Sequence, residues 1–392
     1  MTSLPIEGAS LPLSGVRVLE LARVLAGPWA GQLLADLGAD VIKVERPVEG
    51  DDTRHWGPPF VRAVTGSDRS AAYFHSCNRG KRSVAIDISA PEGQAEVRAL
   101  ALDADVIIEN FKVGGLARYG LDAAAMRALN PALVYCSITG FGQTGPYAHR
   151  PGYDFIVQGM GGMMSITGEP DGPPQKSGVA YADIMTGVYS VVGILAALRQ
   201  RERTGQGTHV DMALLDTQVA VLGNQALNWM VSGNVPQRMG NGHANLVPYQ
   251  SFACADGDLI IAVGNDRQFA RLCGVLGRDS LASDPRFAAN SGRVVNREIL
   301  VPLIAEAAAG WAAAALLAAL EASGIPAGPV NRIDQVFADP QVIARTMQIR
   351  TSDRGGELPG LAAPIVLDGT RMSGSKSSPS LGEDSGAGWR LR

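Results

Sequence analysis

Short apolar runs alternate with longer amphipathic stretches through the first half of the chain. Gly15-Val-Arg-Val-Leu-Glu-Leu-Ala22 reads as a buried strand, Pro28 to Leu37 as a helix, and Ala39-Asp-Val-Ile-Lys-Val-Glu45 as a second strand. That is a βαβ unit. The alternation continues after the loop-rich span Pro47 to Ser70. A basic turn, Asn78-Arg-Gly-Lys-Arg-Ser, runs into a short strand ending near Asp87, and Ala90 to Asp103 is helical with Pro91 at an allowed early position. Asp105 to Asn110 is a strand, Gly115 to Leu129 a helix and Ala132 to Ile138 a strand. Strand–helix repeats in this order predict an α/β fold around a parallel sheet.

The stretch Tyr181-Ala-Asp-Ile-Met-Thr-Gly187 opens the most apolar helix. From Ile184 to Leu198 apolar residues fall on every face, as in a helix surrounded by protein. Gly187, Ser190, Gly193, Ala196 and Ala197 keep it thin. Arg199, Arg201 and Arg203 suit its negative end, and Gly205 suits a left-handed cap. Tyr153 to Met160 is expected to be a shorter helix. Gly207 to Ala213 reads as a further strand and Leu214 to Val231 as one long helix.

The pattern then changes. Asn234 to Pro248 is polar and glycine-rich, and Tyr249 to Val263 reads as a hairpin around Ala255-Asp-Gly-Asp258, with helices from Arg267 onward. The 14 apolar residues from Ala307 to Leu320 are too few and too Ala-rich to span a bilayer, and predict a packed helix. These shifts predict a large domain over 1–234, a smaller α+β domain over 235–330, and a return to the large domain over 331–392. The Ser/Gly-rich tail from Ser373 is expected to be loosely ordered.

A chain of 392 residues has room for about two domains. Its net charge of −4 gives no global attraction for nucleic acid or anionic membrane, although local arginines can hold small anions. Four cysteines and five histidines, all widely spaced, predict neither a disulfide framework nor a metal centre. Met1 to Ser14 lacks the basic and apolar regions of a signal peptide, so a cytoplasmic protein is expected.

Two nucleotide-binding patterns fail on inspection. Glu45 follows the second strand where a ribose-binding acid would stand, but the first turn, Arg23-Val-Leu-Ala-Gly-Pro-Trp29, lacks the glycine fingerprint. Gly140-Phe-Gly-Gln-Thr-Gly145 matches G-x-G-x-x-G, yet Pro146 to Pro151 cannot open a phosphate-facing helix. Asp183 remains. At or beside a helix N-terminus its carboxylate can cap free N–H groups, or it can be held ionised as a nucleophile toward an acyl group. The stretch alone allows both.

Several segments in one order resemble the family III CoA-transferases, the formyl-CoA and carnitine CoA-transferase group. They are Leu13-Ser-Gly-Val-Arg-Val-Leu-Glu20, Ala26-Gly-Pro28, Gly38-Ala-Asp-Val-Ile-Lys-Val-Glu45, Asn78 with Lys81-Arg-Ser83, and Ala104-Asp-Val106 with Glu109-Asn-Phe111. Gly140-Phe-Gly142, Gly152-Tyr-Asp154, Tyr181-Ala-Asp183, Arg203-Thr-Gly-Gln-Gly207 and Ile325-Pro-Ala-Gly-Pro-Val330 complete the set, from about Leu13 to Gly382. The resemblance implies a Rossmann-like large domain, a small domain, and two chains threaded into an interlocked homodimer. It implies that Asp183 is the catalytic carboxylate and that coenzyme A enters as an acyl-CoA substrate.

It further implies CoA contacts at Val24, Leu25, Ala26, Arg46, Ile86, Ser89, Asn110, Phe111 and Arg118, with the arginines suited to phosphates. Ser89 stands where formyl-CoA transferase has a basic residue. Tyr153 and Asp154 fall at the substrate, and Gly240, Asn241, Gly242 and His243 resemble a mobile loop over the intermediate. No metal is implied.

The same fold hosts α-methylacyl-CoA racemases, which need a His where this chain has Tyr153; a phenol of ordinary pKa, about 10, is a poor substitute at neutral pH. A non-catalytic CoA-binding module is disfavoured by the presence of Asp183. Asn241-Gly-His243 with Val247-Pro-Tyr-Gln250 is similar to the succinyl-CoA:dicarboxylate transferases. That points to succinyl-CoA as donor and a four- to six-carbon dicarboxylate as acceptor, with Arg150, Arg238 and His243 as candidate partners of its distal carboxylate.

Overall fold

A computed structural model describes residues 11–62, 69–353 and 356–390; most of Met1–Ser14 and the middle of the span Pro47–Ser70 lie outside the described residues. The chain forms two compact units, one of Met1–Gly162, Ser177–Val221 and Phe337–Arg392, the other of Met163–Lys176 and Leu222–Val336.

In the first unit the main elements are β1 (Arg17–Glu20), α1 (Ala26–Asp36), β2 (Asp40–Glu45), β3 (Arg82–Ala85), α2 (Pro91–Leu102) and β4 (Val106–Glu109). They continue with α3 (Ala123–Leu129), β5 (Val134–Thr139), α4 (Asp154–Met160), α5 (Tyr181–Thr204), β6 (His209–Ala213) and α6 (Leu214–Ala220). The six strands form one all-parallel sheet in the order β3-β2-β1-β4-β5-β6. Alternate residues of each strand feed opposite layers. Val18, Val41, Ile108 and Cys136 pack with α1 and α5, whereas Leu19, Ile42, Ile107 and Tyr135 pack with α2 and α3. The order reverses between β1 and β4, which opens a crevice at their carboxyl ends.

The 24-residue α5 is long and apolar enough to cross a membrane, yet Val191, Ile194 and Leu198 lie in this core. A Cβ on Gly187 would fall 2.8 Å from the Ala26 carbonyl oxygen, so the glycine lets α5 pass against α1. Arg201 pairs with Asp105 at 2.9 Å, and Gly205 ends the helix at φ +70°.

The second unit has an antiparallel sheet of Tyr249–Ala253, Asp258–Ala262 and Ala327–Pro329, the first two forming the expected hairpin. Phe252, Ile261, Phe269, Leu272, Ile304 and Leu320 fill its core. The fully buried Arg293 is satisfied by the carbonyls of Val247 and Phe287 and by Asp266.

Several expected elements differ. Gly120, at φ +63°, breaks the helix expected over Gly115–Leu129, leaving a short turn at Ala117–Tyr119 and then α3. Gly223, at φ +52°, divides Leu214–Val231 into α6 and Asn224–Ser232. The boundary expected after residue 234 therefore falls after Val221, Met163–Lys176 joins the second unit, and the return begins at Phe337 rather than 331. The run Ala307–Leu320 is shared by two helices, Arg297–Ala309 and Ala313–Ala322, bent by 113°. In each case an apolar pattern passes through a turn that only backbone geometry reveals.

The tail is also ordered through its described residues. Ser83 and Asp384 exchange two bonds, Asp384 N–H to the Ser83 carbonyl at 2.8 Å and Ser83 N–H to the Asp384 carboxylate at 3.1 Å. Ser385 Oγ accepts from Ala85 N–H, and the Trp389 indole donates to the Leu100 carbonyl. The contacts to Ser83 and Ala85 cover the open edge of β3, whose outer backbone groups would otherwise have no strand partner, and Trp389 anchors the tail to α2.

Candidate active site

The turn after β1 is pinned from three sides. Lys43, fully buried on β2, donates to the Ala22 carbonyl at 2.7 Å and pairs with Glu20 and Asp51. Asp51 accepts from Val24 N–H at 3.3 Å; burial alone would raise its pKa, but Lys43 and the Thr53 bonds hold it at about 2. Asn110, after β4, accepts from Arg23 N–H at 2.9 Å and donates to the Arg23 carbonyl at 2.6 Å. Together they hold Val24 at φ +72°, a costly conformation for a β-branched residue. Lys81 is buried on Glu20 and the Pro28 carbonyl, so its part is structural.

Beside this turn lies a cavity of about 870 Å3 within the first unit, in the range of small-molecule sites. Val24, Leu25, Ala26, Arg46, Ile86, Ser89, Asn110, Phe111 and Arg118 all line it, as do Tyr153 and Asp183. Arg46 pairs with Glu49, and the Arg118 guanidinium lies 4.5 Å from the Tyr119 ring centre. Ser89 is turned toward Asp87, to whose carboxylate it donates both N–H and Oγ–H. Gly240, Asn241, Gly242 and His243 belong to the second unit, where Gly240 sits at φ +56° and His243 Nδ1 accepts from Asn245 N–H.

The sequence reading missed Arg23, Lys112 and Tyr119, which also line the cavity. Their only signal was adjacency to motif residues. It also missed the task of Glu109, which accepts from Phe111 N–H at 2.7 Å and bonds Ser137; burial pushes it up to about 7 despite those bonds.

Asp183 stands in the first turn of α5, beside the helix N-terminus as expected, with Ala180 at the cap position. The cap is supplied from α4: Asp154 Oδ1 accepts from the N–H groups of Ala182 at 2.8 Å and Asp183 at 3.4 Å. Gln158 holds the other oxygen of Asp154 at 2.7 Å. Among the described residues no hydrogen bond reaches the Asp183 carboxylate. Burial, and then the charge of Asp154, raise its pKa to about 7, so the helix end does not hold it fully ionised at neutral pH. Those two N–H groups are also taken, which leaves oxyanion stabilisation to other donors.

Glycines explain how α4 reaches α5. A Cβ on Gly152 would lie 2.4 Å from Gly140 Cα, and one on Gly140 2.5 Å from Gly152 Cα. The segment before α4 thus lies directly on the end of β5, which carries Tyr153 and Asp154 to Asp183. Among the described residues, no group of three or more His, Cys, Asp or Glu side chains is placed to hold a metal.

Comparison with known proteins gives one answer. The family model described as CoA-transferase family III matches residues 13–385. The chain is 56% identical over 384 residues to the "Succinate--glutarate CoA-transferase" of Agrobacterium fabrum, covering 98% of this chain and 96% of the relative. It is 43% identical to the "Succinyl-CoA:glutarate CoA-transferase" of Mus musculus, over 95% of this chain and 84% of the relative. A crystal structure of a CAIB/BAIF family protein from Brucella suis superposes with TM-score 0.84 at 56% identity, covering 96% of this chain and 97% of that one.

Proposed function

The chain belongs to CoA-transferase family III, and from that premise we propose that it moves CoA from succinyl-CoA to a short dicarboxylate of the glutarate class through a thioester on Asp183. The activity named for both curated relatives supports this donor and acceptor.

In the proposed sequence an ionised Asp183 oxygen attacks the thioester carbonyl. The C–S bond breaks, giving a succinyl-aspartyl anhydride and CoA thiolate. The thiolate attacks the Asp183 acyl carbon, releases succinate and leaves CoA on Asp183. An acceptor carboxylate displaces that thiolate to form a second anhydride, and the thiolate then takes the acceptor acyl group and restores the Asp183 carboxylate. Splitting one acyl exchange into these steps is nucleophilic catalysis. The observation that carries it is placement: Asp183 is freed from capping by Asp154 and faces the cavity lined by the implied CoA positions.

The test is purified protein with succinyl-CoA and a panel of dicarboxylates, product thioesters being read by mass, alongside Asp183→Asn. We expect glutaryl-CoA from the wild type and none from the variant; transfer surviving in Asp183→Asn would sink the mechanism. Deuterium uptake at the α-carbon of a 2-methylacyl-CoA without acyl exchange would instead restore the racemase reading, for which a carboxyl titrating near neutrality is also suited.

An interlocked homodimer is part of the proposal. Exposed Tyr189 and Val192 on α5 support it, because apolar faces of this kind mark contact surfaces. Light scattering at twice the chain mass is the expected result.

A further inference from the structure

The acceptor in the proposed reaction has two carboxylates, one that reacts at Asp183 and one that must be recognised. We propose that Arg150 selects dicarboxylate acceptors by binding the carboxylate that does not react; this rests on the transferase reading above. Of the three cations the sequence offers, Arg238 donates to the Glu169 carbonyl at 3.3 Å and His243 is bonded to Asn245, both inside the second unit. Arg150 lines the same cavity as Asp183.

The other cations of that cavity are committed or stand elsewhere on its wall. Arg23 pairs with Asp52 and Arg46 with Glu49. Lys112 and Arg118 follow β4, beside Asn110 and Phe111. Arg150 instead lies in the segment between β5 and α4, two residues before Gly152, whose contact with Gly140 brings Tyr153 and Asp154 to the start of α5. It therefore belongs to the Asp183 side.

Its side chain is exposed at the mouth of the cavity, beside two rings. The Cζ lies 4.5 Å from the Tyr147 ring centre and 5.5 Å from that of Phe141, and the two rings meet edge-on at 5.7 Å. The rings favour a guanidinium at this place and leave its N–H groups free for a carboxylate. Among the described residues no carboxylate lies within ion-pair distance of Arg150 to compete. A monocarboxylate of equal length would leave that guanidinium to water and forgo the ion pair.

The experiment uses the full chain with succinyl-CoA as donor and compares glutarate with pentanoate as acceptors in wild type, Arg150→Met and Arg150→Lys. The readout is the ratio of kcat/KM values, and CoA affinity by calorimetry monitors folding and the CoA site. We expect the preference for glutarate to fall about fivefold in Arg150→Met, the scale of an ion pair at an exposed guanidinium, and less in Arg150→Lys. CoA affinity is expected to hold. A preference that survives in Arg150→Met overturns the proposal, as does a wild type indifferent to the second carboxylate. Loss of CoA affinity would assign Arg150 to the CoA phosphates and overturn it equally. A wild type that transfers CoA to no acid would instead remove the transferase reading, and this inference with it.

Discussion

In the proposed mechanism the chemistry turns on two carboxylates whose roles are set by their partners. Asp154 is spent on two backbone N–H groups and Gln158, while Asp183 has only burial and a like charge around it. With a pKa of about 7, Asp183 gains nucleophilic form as pH rises. We expect log kcat/KM for the acyl-CoA to rise with unit slope and level near pH 7. Asp154→Asn keeps a capping oxygen but removes the charge, so the limb should move to lower pH. An unmoved limb would show that the charge of Asp154 does not reach Asp183. Stability carries the same signature with the opposite benefit. Between the ordinary value of 3.8 and about 7, the folded state keeps a proton that the unfolded state has lost, so this group's stabilising share falls as pH rises through that window. The melting temperature of Asp183→Asn minus that of wild type should therefore grow from pH 4 to pH 7 and stay level above it, even as transfer is lost. Calorimetry at four pH values checks this. The position of Asp183 was legible in its motif. Its protonation state was not, because that depends first on burial and then on a carboxylate 29 residues away in sequence.

At the scale of elements, the connection between β5 and α4 does the positioning. Gly140 and Gly152 touch backbone to backbone, so no rotamer change can relieve an added methyl. Gly152→Ala should cost about 1–3 kcal/mol by overpacking. It should also displace Tyr153 and Asp154, lowering kcat more than it raises KM for the acyl-CoA. Full activity at wild-type stability would show that this contact is dispensable. The strand–helix alternation was readable because period and length agree for β1, α1, β2 and α2. Breaks were less readable. Gly120 and Gly223 stop helices whose apolar patterns run on, and a glycine inside such a pattern can be tolerated as easily as it can end a helix. The choice left open for Asp183, cap or free carboxylate, has the same root, since α5 begins at Tyr181 with a cap borrowed from α4.

At the scale of the molecule, the sheet's reversal between β1 and β4 places the cavity, and the last residues of the chain secure one side of it. β3 is an edge strand, and Ile86 and Ser89, just beyond it, line the cavity. The tail supplies what a neighbouring strand would. Gly382 N–H bonds Ser83 Oγ at 2.9 Å, Asp384 pairs with Arg82, and the Gly388 carbonyl accepts from the same guanidinium at 2.9 Å. Nothing in a Ser/Gly-rich composition announces this, because the tail's contribution is backbone and short polar side chains rather than an apolar face. Ending the chain after Pro379 would leave Arg82 with Asp40 alone among these partners and uncover the edge of β3. We expect such a chain to melt lower by at least about 1 °C, the shift that roughly 1 kcal/mol produces at this size. The KM for the acyl-CoA should rise several-fold while kcat stays close to wild type, since Asp183 and α5 lie on the other side of the crevice. Equal loss of kcat would mean that the tail supports the whole sheet rather than its β3 edge. An unchanged melting temperature and KM would mean that the edge is stable without its cover.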